Sequence, residues 1–242
     1  ARVLREQGKP VIGFGAGEPD FPTPEYVVKD VQVAAEDTSN HKYSPVAGLT
    51  ILKEEIVRTS KLYSGINVQQ ENILVSNGGK HAILTTFMSI LNPGDEVLIP
   101  SPYWTTYPEA VKISGGNPII VDTEFDDDFK VNTDQLDALK TSKTKILVWV
   151  SPSNPTGVVY TKEEAEKIYN WAFENNVWIL SDELYEHLVY EGMTSPSPAQ
   201  YDTELNNTII INGVAKAYSM TGWRVGWIIA NTDVIDMAKK IQ

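Results

Sequence analysis

Residues 145–182 read KILVWVSPSNPTGVVYTKEEAEKIYNWAFENNVWILSD, and the order of patterns inside them decides the fold. Lys145–Val150 is almost continuously apolar, as in a strand covered on both faces. Ser153-Asn154-Pro155-Thr156-Gly157 makes a good turn. Thr161-Lys162-Glu163-Glu164 is a capping box and predicts a helix running to about Asn176. Val177-Trp178-Ile179-Leu180 is then a second buried strand. Strand, helix and strand in this order argue for a mainly parallel sheet wrapped by helices.

The same alternation extends in both directions. Asn72–Ser76 reads as a strand, followed by Gly78-Gly79 and a helical pattern from Lys80 to Leu91. Glu96–Pro100, Asn117–Asp122 and Thr208–Ile211 read as further strands. The ends differ from this middle. Residues 1–25 are rich in glycine and proline and read as an irregular segment lying across something. Residues 233–242 open a helix with no cap and no following element, the pattern of a chain that is part of a longer protein.

Composition narrows the function. The 242 residues are 42% hydrophobic and 21% charged, enough for one large α/β domain or two small ones. Twenty Lys and Arg against 32 Asp and Glu leave a net charge of −12, which argues against nucleic acid as a partner. The absence of cysteine excludes disulfides, thiolate nucleophiles and Cys-ligated metals. His41, His81 and His187 are scattered without ligand spacing, and Asp126-Asp127-Asp128 lacks the rest of a calcium loop, so no metal is expected. No run approaches the ~18 apolar residues of a membrane span, and ARVLREQGKPVIGF lacks the apolar core of a signal peptide. The expectation is a soluble, cytoplasmic protein.

Ligands of open α/β sheets sit at the carboxyl ends of the strands. The residues just beyond each strand here form a coherent set: Gly78-Gly79-Lys80 at a helix N-terminus suited to an anion, then Tyr103-Trp104, then Asn154. Asp182 and Tyr185 come after the next strand, and Lys216 and Arg224 after the last. Taken singly, each has a plainer reading. Lys216 alone would be a surface charge, Asp182 an N-cap, Trp104 and Tyr185 rim aromatics, and Lys80 a solvated first-turn lysine. Gly13-Phe14-Gly15-Ala16-Gly17 is no dinucleotide fingerprint, because Glu18 stands where the third glycine is needed.

Together they resemble a known family. Ala215-Lys216-Ala217-Tyr218-Ser219-Met220-Thr221-Gly222-Trp223-Arg224 resembles the pyridoxal-phosphate attachment segment of class I/II aminotransferases. Gly15-Ala16-Gly17-Glu18-Pro19-Asp20-Phe21, Ser101-Pro102-Tyr103-Trp104, Asn154-Pro155-Thr156-Gly157 and Ser181-Asp182-Glu183-Leu184-Tyr185 match other blocks in order. The likeness covers essentially the whole chain and is nearest to prokaryotic aspartate aminotransferases of subgroup I-gamma. It implies a three-layer α/β/α large domain with a mainly parallel, seven-stranded mixed sheet, the fold type I of pyridoxal-phosphate enzymes. Residues 29–242 would be that cofactor-binding domain, and residues 1–28 an N-terminal segment with part of a small domain.

The resemblance also implies roles. Lys216 would carry pyridoxal 5′-phosphate and, once freed by substrate, move a proton between the substrate Cα and the cofactor C4′. Asp182 would keep the pyridine nitrogen protonated. Asn154 and Tyr185 would hydrogen-bond the ring oxygen, and Trp104 would stack on the ring. Arg224, with the backbone N–H groups of Gly79 and Lys80, would hold the phosphate. Tyr43 would reach a neighbouring copy's phosphate across a homodimer interface. Gly17 would let the backbone approach the substrate carboxylate where a Cβ would be in the way, and Lys80 would face a distal carboxylate. The reaction implied is ping-pong amino transfer between an L-amino acid, aspartate foremost, and the 2-oxo acid 2-oxoglutarate.

Two departures stand beside it. Only 26 residues follow Lys216, so the late arginine that binds the substrate α-carboxylate, and most of the small C-terminal domain, are missing. Ala215 stands where serine is common. Aromatic, prephenate or alanine aminotransferases, a β-lyase and a non-catalytic cofactor-binding fragment remain alternatives.

Overall fold

The computed structural model describes residues 2–12 and 17–242. Gly15 and Ala16 of the N-terminal block, like Gly13 and Phe14, lie outside the described residues. In chain order come helices α1 (Arg2–Glu6), α2 (Glu25–Glu36) and α3 (Thr50–Thr59), then strand β1 (Ile73–Ser76) and α4 (Gly79–Ile90). Next are β2 (Glu96–Pro100), α5 (Thr106–Ile113), β3 (Asn117–Val121), α6 (Thr133–Leu139) and β4 (Thr144–Val150). The chain continues through α7 (Lys162–Glu174), β5 (Trp178–Asp182), β6 (Thr208–Gly213), β7 (Gly226–Ile229) and α8 (Thr232–Ile241).

The seven strands form one sheet in the order β1-β7-β6-β5-β4-β2-β3. β7 runs antiparallel to both of its neighbours, and every other pairing is parallel. Alternation along the strands divides the core into layers. In β4, Ile146 and Val148 face α4, α5 and α8, whereas Leu147 and Trp149 face α6 and α7. Ile210 of β6 and Ile229 of β7 meet Ile56 of α3 on that second side. The arrangement is the three-layer α/β/α sandwich and mixed seven-stranded sheet that the sequence leads one to expect.

Local signals hold well in this part. Thr161 and Glu164 form the predicted capping box: the Thr161 hydroxyl accepts the Glu164 N–H at 3.2 Å and the Glu164 carboxylate accepts the Thr161 N–H at 2.6 Å. β7 has no such signal. It is four residues long, GWII, and begins with a glycine. The irregular N-terminus expected from glycines and prolines holds for residues 17–24. Arg2–Glu6, which contain neither, form a short exposed helix instead. Residues 17–23 do lie across something: the Thr23 hydroxyl donates to the Ser219 carbonyl at 2.8 Å and accepts from the Trp223 indole at 3.0 Å.

Candidate active site

All the parallel strands end on one edge of the sheet, and the loops leaving them converge there. β1 delivers Gly78 and Gly79, β2 delivers Trp104, β4 Asn154, β5 Asp182 and Tyr185, and β6 Lys216. Arg224 arrives differently. It precedes β7, whose reversed direction puts its N-terminal end on the same edge. Gly17, Gly79, Lys80, Trp104, Asn154, Asp182, Tyr185, Lys216 and Arg224 thus line one cleft of about 570 Å³.

Asp182 is the last residue of β5 and is 3% exposed. Its Oδ2 accepts the Tyr107 hydroxyl at 2.7 Å and its Oδ1 accepts the Leu184 N–H at 3.2 Å. Burial raises the carboxyl's pKa, opposed by those two hydrogen bonds and by the charge of Lys216. Lys216 is half-buried; its ammonium donates to the Gly17 carbonyl and lies 5.5 Å from the centre of the Tyr185 ring. Its pKa is lowered, chiefly by burial, with Glu18 and Asp182 opposing and Arg224 adding to the fall. Burial, with the charge of Asp182, raises the Tyr185 phenol, which keeps it a neutral donor.

The other end of the cleft is built for an anion. Gly78 stands before α4 with φ +85° and makes no side-chain cap. Among the described residues nothing accepts from the backbone N–H groups of Gly79 and Lys80. The Arg224 guanidinium lies against Gly78, where an added Cβ would come within 2.5 Å of Nη2. Arg224 has a left-handed backbone (φ 57°), and its Nη1 donates to the Thr221 carbonyl at 2.8 Å. No described carboxylate pairs with it. β7 passes so close to this loop that a Cβ on Gly226 would sit 2.8 Å from the Gly78 carbonyl carbon. An unpaired guanidinium beside two free helix amides suits a phosphate. A buried carboxylate, a phenol, an amide and an indole beyond it suit a planar nitrogen ring.

Two of the expected residues depend on groups outside this chain. Among the described residues a Cβ on Gly17 would meet nothing within 4 Å, so whatever crowding requires the glycine there would come from a bound substrate. Tyr43 is not part of this cleft; its side chain is wholly exposed. Lys80 is exposed at the rim, its ammonium 5.0 Å from the Trp104 ring centre. The sequence reading missed Tyr107, which lies 75 residues before its partner Asp182 and reads locally as one more apolar position of α5. It also missed Glu18 and Thr221, which line the cleft.

Residues 9–242 match the profile of the family aminotransferase class I and II. The chain belongs to that family. It is 49% identical to an aspartate aminotransferase of Streptomyces avermitilis over 243 aligned residues, covering all of this chain and 60% of that protein. Among solved structures, the aspartate aminotransferase of Thermus thermophilus with maleate superposes with a TM-score of 0.94 at 40% identity, covering 99% of this chain and 62% of that one. An aromatic aminotransferase from Pyrococcus horikoshii superposes with a TM-score of 0.92 at 37% identity, covering all of this chain and 65% of that one. The chain thus spans about three fifths of the aspartate aminotransferases it matches.

Proposed function

We propose that this chain is the cofactor-binding part of a pyridoxal-phosphate-dependent aminotransferase that moves an amino group between L-aspartate and 2-oxoglutarate. The observation that carries this reading is the meeting of Lys216, buried Asp182 and the unpaired Arg224 in one cleft. Bound pyridoxal phosphate would supply a ring that takes up the electrons left when the substrate Cα loses its proton. Everything else falls to the chain's own residues.

Lys216 would anchor the cofactor and, once freed, carry the proton at Cα; burial lowers its pKa, which favours the free amine that this role needs. Asp182, buried in the cleft, would pair with the ring nitrogen and keep it protonated. Asn154 and Tyr185 would offer an amide and a phenol to the ring oxygen, and Trp104 would cover the ring. Arg224 and the amides of Gly79 and Lys80 would hold the phosphate. Gly17 and Lys80 border the space left for substrate. Lys80 at the rim supports a dicarboxylic substrate, as does the maleate in the Thermus thermophilus structure.

The wider reading rests on the family. Residues 29–242 form the cofactor-binding domain and residues 1–28 the N-terminal segment with part of a small domain. The protein works in the cytoplasm as a homodimer, with the exposed Tyr43 lent to the neighbouring copy's phosphate. The test is reduction of the natural full-length protein with borohydride after incubation with pyridoxal phosphate, followed by peptide mapping and an amino-transfer assay. A single adduct on Lys216 and turnover of aspartate with 2-oxoglutarate are expected. Lys216→Ala should abolish the adduct and slow turnover by at least about 10²–10⁴-fold. Absence of an adduct on Lys216 in the full-length protein refutes the reading; an adduct with turnover of tyrosine but not aspartate refutes only the substrate.

A further inference from the structure

Neither oxygen of Asp182 is free within the chain. Oδ1 takes the Leu184 N–H two residues on, and Oδ2 takes the Tyr107 hydroxyl from the first turn of α5. Tyr107 is 1% exposed, and its ring meets the Trp104 indole edge-on, 5.7 Å between centres at 89°. One side chain therefore touches both the residue that would pair with the ring nitrogen and the residue that would cover the ring. We infer that Tyr107 is a positioning residue for the cofactor ring: its hydroxyl keeps Asp182 ionised and aimed, and its ring fixes the tilt of Trp104. The inference rests on the pyridoxal-phosphate reading above.

The physical argument is a competition for one proton. Burial favours the neutral form of Asp182, and the Tyr107 hydroxyl is among the few groups favouring the charged form. The other titratable groups near it are Lys216 and Tyr185 across the cleft and Glu183 next in the chain, which is tied to Ser181 and Ser197 on the opposite side of the sheet. Burial, the charge of Asp182 and the shared hydrogen bond all make the Tyr107 phenol a weaker acid, so it remains a donor at every working pH. Without that hydroxyl, Oδ2 stays buried with no donor from the chain. The carboxylate then holds a proton more tightly, and a ring nitrogen paired with it would be less cationic.

Packing alone predicts something else, because Tyr107 also belongs to the core between α4, α5 and the sheet. Tyr107→Phe separates the two roles, since it keeps the ring and removes only the hydroxyl. The experiment uses the full-length holoenzyme loaded with pyridoxal phosphate labelled with ¹⁵N in the ring. It tracks the ring-nitrogen chemical shift against pH, together with kcat and KM, in wild type, Tyr107→Phe, Asp182→Asn and the double variant. In Tyr107→Phe the ring nitrogen should lose its proton at least about one pH unit lower. kcat should fall roughly 10- to 100-fold while KM changes little. In the Asp182→Asn background the same substitution should change neither quantity by more than about twofold. An unchanged nitrogen titration in folded Tyr107→Phe, or an undiminished effect in the Asp182→Asn background, overturns the inference and leaves Tyr107 a core residue. Failure of wild type to take up pyridoxal phosphate would sink the functional reading itself, which the titration of the variants does not test.

Discussion

Helix α2 is rich in valine and strands β4–β6 in isoleucine and valine, yet they end in opposite surroundings. Ile146, Leu147, Val148, Ile179, Leu180, Ile209 and Ile211 are buried almost completely. α2 carries four valines and buries no residue at all, and Val33 is 70% exposed. The strands have helices on both faces, so each alternating side chain meets a layer. A lone helix stripe needs one particular neighbour, and among the described residues α2 meets little beyond the short turn after it. Apolar composition therefore sets how much surface asks for burial, and the layers present decide whether it is buried. A 12-residue helix with no buried face is close to the limit of what holds together in water.

Paired substitutions give the sharpest test of this contrast. Leu147→Ala, in a site with no exposure, should lower the unfolding free energy by about 2–5 kcal/mol. Val33→Ala should change it by less than about 0.5 kcal/mol, since alanine also favours the helix. Denaturant titration of both variants checks this. Equal losses would mean that α2 is packed as firmly as the sheet.

A pH-dependent effect, peculiar to the buried half, comes from Glu183. Burial, reinforced by the nearby charge of Glu186, pushes its carboxyl up to about 8 from an ordinary 4.5. The folded chain therefore holds a proton that the unfolded chain has released. Stability from this group is full below about pH 4.5 and is lost as pH rises toward about 8, at up to ~1.4 kcal/mol per pH unit. Glu183→Gln should flatten that fall in a pH series of denaturant titrations. A slope left intact in the variant would assign it to other groups.

The smallest effect is a contrast between Gly78 and Gly222, each next in the chain to a residue that lines the cleft. Gly78→Ala should cost about 1 kcal/mol, because φ is +85° and the new Cβ would press on the Arg224 guanidinium. Pyridoxal phosphate should bind it less tightly, since Arg224 is displaced from the two free amides. A Cβ on Gly222 would meet nothing within 4 Å, and Gly222→Ala should be nearly neutral. Denaturation and cofactor titration of the two variants check both halves. Equal behaviour would mean that the Arg224 side chain moves aside freely.

Much of the fold was legible where the signal is local. The apolar run of β4, the capping box of α7 and the glycines before α4 each declare their element within a few residues, because alternation and backbone hydrogen bonding act at short range. The blocks around Asn154, Asp182 and Lys216 were legible because each comes after a recognisable strand. β7 was not, since four residues including glycine and tryptophan carry no period. Neither was Tyr107, whose hydroxyl matters only because α5 packs beside the end of β5.

The sequence by itself determined the α/β class, the family resemblance and a set of candidate residues for the site. The tertiary structure decided which of them meet. Reversal of β7 brings Arg224 to the edge where the parallel strands end, and the packing of α5 gives Asp182 its buried donor. Tyr43 lies exposed outside the cleft, and among the described residues a Cβ at Gly17 would meet nothing within 4 Å. The reason is one of range. Side-chain periodicity is written in neighbouring residues, whereas strand order and direction arise only when distant segments compete for the same buried surface.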